Sequence, residues 1–518
     1  MSLIKNVVTV GGWTMAYRLS SIIRDAVQAN ILGTTIFADA FNLAFKFANV
    51  LRKLFAEGSF NASFLPIFSN AMKDKGQEEA QKIASQVLTW LVFLVSFIMI
   101  ICLIFFRYII HGYAPGIETA SEKFDHLVNL GRICSPYIAA SFLVALFGGV
   151  LNTINRFAMP AATQLVLNIC VIIALFTGAL CFPSTAYTMA WATFLGGVIQ
   201  VAILWGNVRM CGLNIGFDLS AMTDEVKQFF KKLISGAIGA GVWQLNVLID
   251  FMVLSFLPTG AVSYFYYMDH VNQIPVGILG IAFSTALLPP LTKAVHAKDS
   301  DSAQKQMNLG LLFAFVFTLP AAILFISLNE PITAAMYGRG NFGPEQVAAA
   351  APALAAFAIG LPSYMVTKVL TTTFFAHKDT KTPLNGGVIS IVTNLLFIIL
   401  LMPAMKHTGI ALATSLSAWC NVIYLLFTLK KLGTVRISCD TVKECLKQLV
   451  VSGAMWGLIF LMNIYYANSC YIIGGSTRNF VLLAVMGVGI IGFCILGKCS
   501  KMFAFLSEIK NLEKTEKK

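Results

Sequence analysis

The sequence predicts an all-α polytopic membrane protein of about fourteen transmembrane helices, with two parallel six-helix lobes around a central cavity and two additional C-terminal helices. Three observations predict it. The first is composition: of 518 residues, 57% are hydrophobic and 12% charged, against about 25% charged in an average soluble domain. The second is a series of apolar windows of roughly 20 residues, each long enough to cross a bilayer as a helix. The third is an internal repeat at a fixed offset.

In chain order, the first two spans are expected near 6–32 and 36–58, and they hold an unusual density of charge. Apolar spans follow near 84–106, 127–151, 161–181 and 185–207, which completes an N-terminal lobe over 1–216. A polar amphipathic linker is expected over 217–232. The second lobe, 233–430, holds spans near 233–257, 262–291, 307–328, 348–375, 384–403 and 408–429. A cytoplasmic linker over 431–447 leads to two further spans within 448–497, near 448–467 and 479–497. The tail, 498–518, ends in KNLEKTEKK and is expected to be disordered. Met1 to Val10 lacks a short apolar run ending in small residues, so no cleavable signal peptide is expected.

The repeat is visible in two places. FNASFLPIFSNA at 60–71 resembles FSTALLPPLTKA at 283–294, with Phe60/Phe283, Leu65/Leu288, Pro66/Pro289 and Ala71/Ala294 coinciding. LNTINRFAMP at 151–160 lies opposite FFAHKDTKTP at 374–383, where Pro160 meets Pro383. Both pairs share an offset of 223 residues. Each repeat contributes six helices, an even number. The halves therefore have parallel topology about an axis along the membrane normal, a transporter arrangement with its site at the repeat interface.

Loop charge gives the orientation. One set of loops holds roughly 25 Lys and Arg and the other about five, namely Arg107, Lys123, Arg339, Lys406 and Arg478. Basic loops stay in the cytoplasm, so both termini are expected there, in a membrane crossed many times. The net charge of +13 is spread between apolar segments. It suits an anionic membrane surface and excludes a nucleic-acid-binding domain, which would gather its basic residues on one face. Eleven cysteines, several within apolar spans (Cys102, Cys170, Cys420, Cys494), read as small buried hydrophobes. No CxxC pair or HExxH occurs, so no metal site is expected.

The chemistry is concentrated between Tyr17 and Phe60. This mostly apolar stretch carries Arg18, Arg24, Asp25, Asp39, Lys46, Arg52, Lys53 and Glu57. Charges at membrane depth are costly and face a bundle interior or a wet cavity. An interfacial amphipathic segment would keep its Arg and Lys at segment ends, where they snorkel. Arg18, Arg24 and Lys46 fall mid-segment, which favours a cationic cavity. Arg18 and Arg24 are about 120° apart around a helix, so both face a wide cavity but not a narrow stripe. Asp39, Lys46 and Lys53 repeat every seven residues and share a face. In the second half Asp250 stands in the apolar run WQLNVLIDFMVLSF. Such a carboxylate needs a cation, a proton or a basic side chain. Asp269 and His270 lie in YYMDHVNQIP, and Asn385, Thr393 and Asn394 on a later helix are candidate neutral oxygens for an ion at Asp250.

Long segments of the chain resemble the MurJ/MviN family, the lipid II flippases of the multidrug/oligosaccharidyl-lipid/polysaccharide exporter superfamily. RDA at 24–26, ADAFNLAFKFANVLRKLFAEGSFNASFLPIF at 38–68, LNTINRFAMPA at 151–161, PVGILGIAFSTALLPPL at 275–291 and KVLTTTFFAHKDTKTP at 368–383 carry the likeness. The resemblance implies two lobes around a central cavity. It implies a non-enzymatic transporter that moves undecaprenyl-diphosphate-linked disaccharide-pentapeptide, lipid II, from the cytoplasmic to the outer leaflet. It implies that Arg18, Arg24, Asp39 and Arg52 match the family's cavity residues, and that Asp250 matches a position associated with sodium in some members. The chain departs from the family at His270, where Arg is common, and at Gln273, where some members have Glu. Histidine is a weaker, pH-sensitive partner for an anion than arginine, and His270 is expected to be such a contact.

The expected substrate-binding residues are therefore Arg18, Arg24, Asp39, Lys46, Arg52, Asp269 and His270, with no catalytic residue. Seven-residue spacing nominates Lys53 and the resemblance nominates Arg52; the resemblance is followed. Arginine suits the task because its planar fork holds phosphate bidentately. Asp39 and Glu57 are expected to hold the basic side chains in place. No cofactor is expected; a sodium ion or the membrane potential is the candidate driving force. The expected partners are lipid II, membrane lipids and other cell-wall synthesis proteins, with no nucleic acid. The alternatives are an exporter of another polyprenyl-diphosphate-linked oligosaccharide or of drugs, and a membrane glycosyl- or acyltransferase. A drug exporter should carry an excess of intramembrane carboxylates, whereas cations dominate here. A transferase needs a catalytic His or an acid pair at a membrane face, and neither stands out.

Overall fold

The computed structural model describes residues 3–181, 184–286, 288–297, 299–430, 436–462, 476–500 and 502–503. Among them no strand occurs. The chain opens with α1 (Leu3–Leu32), which stops at Gly33 (φ 58°). Glycine adopts that left-handed conformation without a Cβ penalty. Thr35 then caps α2 (Ile36–Arg52), its hydroxyl accepting from the Ala38 N–H at 3.4 Å. A π-helical stretch, Lys53–Ser59, joins α2 to α3 (Phe60–Asp74). Next come α4 (Gln77–Ile104), α5 (Phe106–Tyr113), α6 (Glu122–Cys134), α7 (Pro136–Thr153), α8 (Ala158–Cys181) and α9 (Thr185–Met210). The series continues with α10 (Asp224–Leu254), α11 (Ala261–Ala286), α12 (Leu288–His296), α13 (Ser300–Ser327), α14 (Asn329–Tyr337), α15 (Pro344–Ala358) and α16 (Leu361–Ala376). It ends with α17 (Lys381–Leu429), α18 (Cys439–Met462) and α19 (Ser476–Cys499). Within α17 the backbone leaves the helix at Lys406 (φ 51°, ψ −132°). A Cβ on Gly409 would stand 2.6 Å from the Leu401 carbonyl oxygen, so only glycine fits inside this turn.

The offset of 223 residues maps the first helices onto the second. It carries α4 onto α13 end for end, and brings α5, α6, α7 and α8 within a few residues of α14, α15, α16 and the first arm of α17. The turn after α7 has its twin after α16. Asn155 and Lys378 both take φ 62°, and the Arg156 and Asp379 N–H groups reach back to Leu151 and Phe374 carbonyls at 2.8 and 3.0 Å. The same rule pairs α1 with α10. The second half of the expected linker, 217–232, coincides with the first turns of α10. Its apolar positions, Val226, Phe229 and Leu233, recur at helical spacing and are buried.

The chain forms two compact units, Met1–Ser263 and Tyr264–Lys518. In the first, α10 packs on α2, the π-helical stretch and α3. Phe60, Phe64 and Phe68 stack along one face of α3 at 5.5 and 5.4 Å, and Phe229 meets Phe60 edge-on at 5.1 Å. In the second unit Tyr267, Tyr337 and Phe342 form a comparable aromatic cluster.

Among the described residues nine helical segments are long and apolar enough to cross a membrane. One of them, Lys381–Leu429, contains two of the spans expected from sequence. The other expected spans not among the nine correspond to α1, α2, α10 and α11, the helices with the polar residues at issue. Length and composition alone thus support fewer crossings than fourteen. Residues 463–475 and 504–518, with the expected disordered tail, lie outside the described residues.

Candidate functional site

The charged stretch forms α1, α2 and the π-helical stretch, all in the first unit. Helical rise sets the depth of each cation measured from the α1–α2 loop. Arg24 lies about 12 Å down, Lys46 about 15 Å, Arg18 about 21 Å and Arg52 about 24 Å. The hydrocarbon core is about 30 Å thick, so the four make a graded series over about 12 Å of it.

Arg24 is 4% exposed. Its Nε and Nη2 donate to the Asp25 carboxylate at 3.0 and 2.7 Å, and Nη1 donates to Asn168 Oδ1 on α8 at 3.0 Å. The Phe45 ring lies 5.2 Å from the guanidinium. Asn168 in turn donates to Ser20 Oγ and the Tyr17 carbonyl, tying α8 to α1. The Lys46 ammonium sits 4.9 Å from the Phe251 ring on α10, which brings a basic side chain beside the segment that carries Asp250. Arg18 is half-buried.

Arg52 is 6% exposed and donates to Asn49 Oδ1 at 3.0 and 2.8 Å. It lines a partly open cavity of about 170 Å³ together with Asn61, Tyr137, Ser141, Asn152, Gln164 and Gln200. None of the residues lining this cavity is acidic. Arg52 stands in the wall of this cavity, and Lys53 does not line it. Arg52 is also the last residue before the π-helical stretch, a distortion often found at functional sites.

Asp39 differs from the expectation. It is fully enclosed, and four donors fill its carboxylate: Lys123 Nζ at 2.8 Å, Gly260 N–H at 2.8 Å, Ser263 N–H at 3.0 Å and Ser263 Oγ at 2.7 Å. Gly260 and Ser263 belong to the opening turn of α11, where exposed N–H groups favour an anion. Asn42 donates to the Ser263 hydroxyl at 3.2 Å and accepts from Gln28 at 2.7 Å. Asp39 is therefore a structural cap with no lone pair left for a substrate. Its partner is Lys123, not a cavity cation. The side chain of Glu57 lies outside the described residues.

Of the candidate ion set, Asn385, Thr393 and Asn394 lie on α17. Asn385 and Asn394 are about 180° apart around α17. Asn385 is exposed and Asn394 fully buried. Thr393 turns its hydroxyl to the Ile389 carbonyl of its own helix at 2.7 Å. Among the described residues no group of three or more His, Cys, Asp or Glu is placed to hold a metal ion. On α11, Gln273 donates to Asp269 at 2.9 Å, and the His270 ring packs 4.3 Å from Tyr266. Asp269 is the positional counterpart of Lys46 under the 223-residue offset.

Sequence reading named the cations but missed Gln28, Asn42, Lys123, Asn168 and Ser263. Gln28 lies four residues after Arg24 and Asn42 three after Asp39, so helical spacing was an available signal for those two. Nothing local marks Lys123, Asn168 or Ser263, which meet the site only through folding.

The repeated helices, with charged or polar residues on α2 and α11, define a polytopic helical membrane protein with a transporter fold. The fold alone is shared with an inward-facing multidrug resistance MATE transporter (TM-score 0.67, 13% identity, 82% of this chain and 98% of that one). A structure described as the lipid II flippase MurJ in an inward closed conformation matches more fully, at TM-score 0.80 and 26% identity over 96% of this chain and 99% of that one. A probable lipid II flippase MurJ of Rhizobium tropici is 33% identical over 471 residues, covering 89% of this chain and 87% of the relative. One from Rhizobium meliloti is 35% identical over 435 residues, 83% and 81% of the two chains. The family profile for lipid II flippase MurJ matches residues 28–481. The chain belongs to the lipid II flippase MurJ family, and is an all-α, multi-pass membrane transporter.

Proposed function

We propose that this protein flips lipid II from the cytoplasmic to the outer leaflet by alternating access, with both termini in the cytoplasm. The observation that carries the reading is the graded series Arg24, Lys46, Arg18 and Arg52, set in a chain whose relatives are named lipid II flippases. A diphosphate crossing apolar surroundings needs charge-assisted donors at successive depths, and arginine supplies them bidentately. Arg18, Lys46 and Arg52 are the proposed head-group contacts in the first unit. Arg24, held by Asp25 and Asn168, joins them when that pairing opens. Asp269 and His270 are the proposed contacts of the second unit. The proposed lobes are 1–216 and 233–430, with 448–497 as an appendage.

A sodium ion or the membrane potential is the proposed driving force. Moving a negative charge outward from a negative interior releases about 2.3 kcal/mol per charge per 100 mV. Other cell-wall synthesis proteins are proposed as suppliers and consumers of the lipid.

The test is depletion of the protein in cells, followed by measurement of the leaflet that holds labelled lipid II. Accumulation in the cytoplasmic leaflet, reversed by the wild-type chain but not by Arg18→Ala or Arg52→Ala, is expected. Unchanged outer-leaflet lipid II on depletion would remove the reading.

A further inference from the structure

The segment between α9 and α10 is an extended strap laid along α4. Its N–H groups at Asn214, Gly216 and Asp218 donate to Gln81 Oε1 (2.5 Å), Ser85 Oγ (3.2 Å) and Thr89 Oγ1 (2.8 Å). Two residues of extended chain advance about 6.6 Å, and four residues of helix about 6 Å. The two repeats match, so the strap keeps register with one helical turn per two residues. It thereby descends about 12 Å along α4. Leu213 and Ile215 are buried and anchor it, whereas Phe217 and Leu219 are 72% and 74% exposed.

That descent takes Phe217 and Leu219 to the level of Thr89 and Trp90, just before the exposed apolar face Phe93–Leu94 of α4. On the neighbouring helix, Arg209 lies 4.3 Å over the Trp205 ring, and Met210 is 78% exposed. Trp and Arg at a span end mark the head-group level. Behind the strap is an open recess of about 520 Å³. Its charged lining is two cations, Lys82 and Arg209, and two acids, Glu78 and Asp218. Asp218 is held below the usual carboxylate range, first by its hydrogen bond with Ser220, so it stays ionised.

We propose that this recess binds the head group of a zwitterionic aminophospholipid, phosphate to Lys82 and Arg209, ammonium to Glu78 and Asp218, with Phe217 and Leu219 against the acyl chains. Balanced charge is the argument for the class: a purely anionic head group would meet both acids without an amine to offset them. The apolar pair argues for a lipid rather than a soluble phosphate. The second unit repeats the strap only in part. Gln304 and Asn308, the counterparts of Gln81 and Ser85, accept from Arg436 and Ser438 N–H groups. The counterpart of Thr89 is Leu312, whose side chain accepts nothing, and the chain turns into α18 at Cys439. The inference does not rest on flipping or on which face is cytoplasmic.

The experiment is lipid titration of the purified full chain in detergent, read by native mass spectrometry. Phosphatidylethanolamine, phosphatidylglycerol and soluble glycerophosphoethanolamine are the probes. Phosphatidylethanolamine is expected to bind about five-fold more tightly than phosphatidylglycerol, the scale of two partly exposed ion pairs. Lys82→Ala with Arg209→Ala should weaken it by a similar factor. Glu78→Gln with Asp218→Asn should reverse the preference, and Phe217→Ser with Leu219→Ser should weaken the lipid but not the soluble head group. Each variant is compared at matched thermal stability. A wild-type preference for phosphatidylglycerol overturns the proposal, as does unchanged phosphatidylethanolamine binding in the cation variant or equal binding of the soluble head group.

Discussion

Asp39 and Arg24 show two fates for a charge placed in an apolar helix. Asp39 is saturated by Lys123 and the opening turn of α11, and removing it strands a buried ammonium and two N–H groups. Asp39→Ala is expected to cost about 3–5 kcal/mol, the range for breaking a buried pair from one side. Asp39→Asn with Lys123→Met should cost less than the sum of the single changes, because no lone charge remains; unfolding in detergent measures both. If Asp39 instead bound substrate, its loss would impair flipping with stability intact. Arg24 uses three nitrogens on two partners. Arg24→Lys keeps the charge but not the fork, so it is expected to fail complementation of a flippase-depleted cell while inserting normally. The charges themselves were legible in the sequence, since their cost at membrane depth demands an explanation. Their partners were not: Asn168 and Ser263 are ordinary polar residues until folding brings them to Arg24 and Asp39.

At the scale of elements, the repeated turn after α7 and α16 offers a paired test. Asn155 and Lys378 share a left-handed conformation that costs lysine more than asparagine. Lys378→Gly should therefore stabilise by about 1 kcal/mol and raise Tm, whereas Asn155→Gly should change little. The α3–α10 junction supplies a pH test through Lys75 and Glu225, 2.5 Å apart. Their hydrogen bond, first among the causes, holds Glu225 below its ordinary value and Lys75 above its own. The Glu225 contribution is present above about pH 4.3 and is lost as pH falls through its lowered folded value. The Lys75 contribution is present below about pH 10.4 and is lost as pH rises through its raised folded value. The Tm difference between wild type and Glu225→Gln should thus exist at neutral pH, vanish in acid and shrink in high salt, since the pair is exposed. The sequence reading placed this junction in a linker. The helix begins at Asp224 because Val226 and Phe229 find buried places beside Phe60 and Phe64, contacts 150 residues and more away in sequence that a local polarity count cannot anticipate.

For the whole molecule, the proposed orientation is checked by reporter fusions at each end. Enzymes active only outside the cytoplasm should be silent at both termini and active in the Arg107–Lys123 loop; activity at either terminus would refute the topology. The sequence by itself determined the class, the duplication and the family. Apolar windows, an offset of 223 residues and long matching segments are properties of order and composition, and they persist however the helices pack. It also located the cations, because hydrophobic surroundings make each one conspicuous. Only the tertiary structure decided which partners several of those charges take. It placed Arg52 rather than Lys53 in the cavity wall, assigned Asp39 to Lys123, and set Asn385 and Asn394 on opposite faces of α17. Those outcomes depend on distances between residues far apart in the chain. Hydrogen bonds and ion pairs act over about 3 Å, a scale that helical periodicity resolves along one helix but not between two.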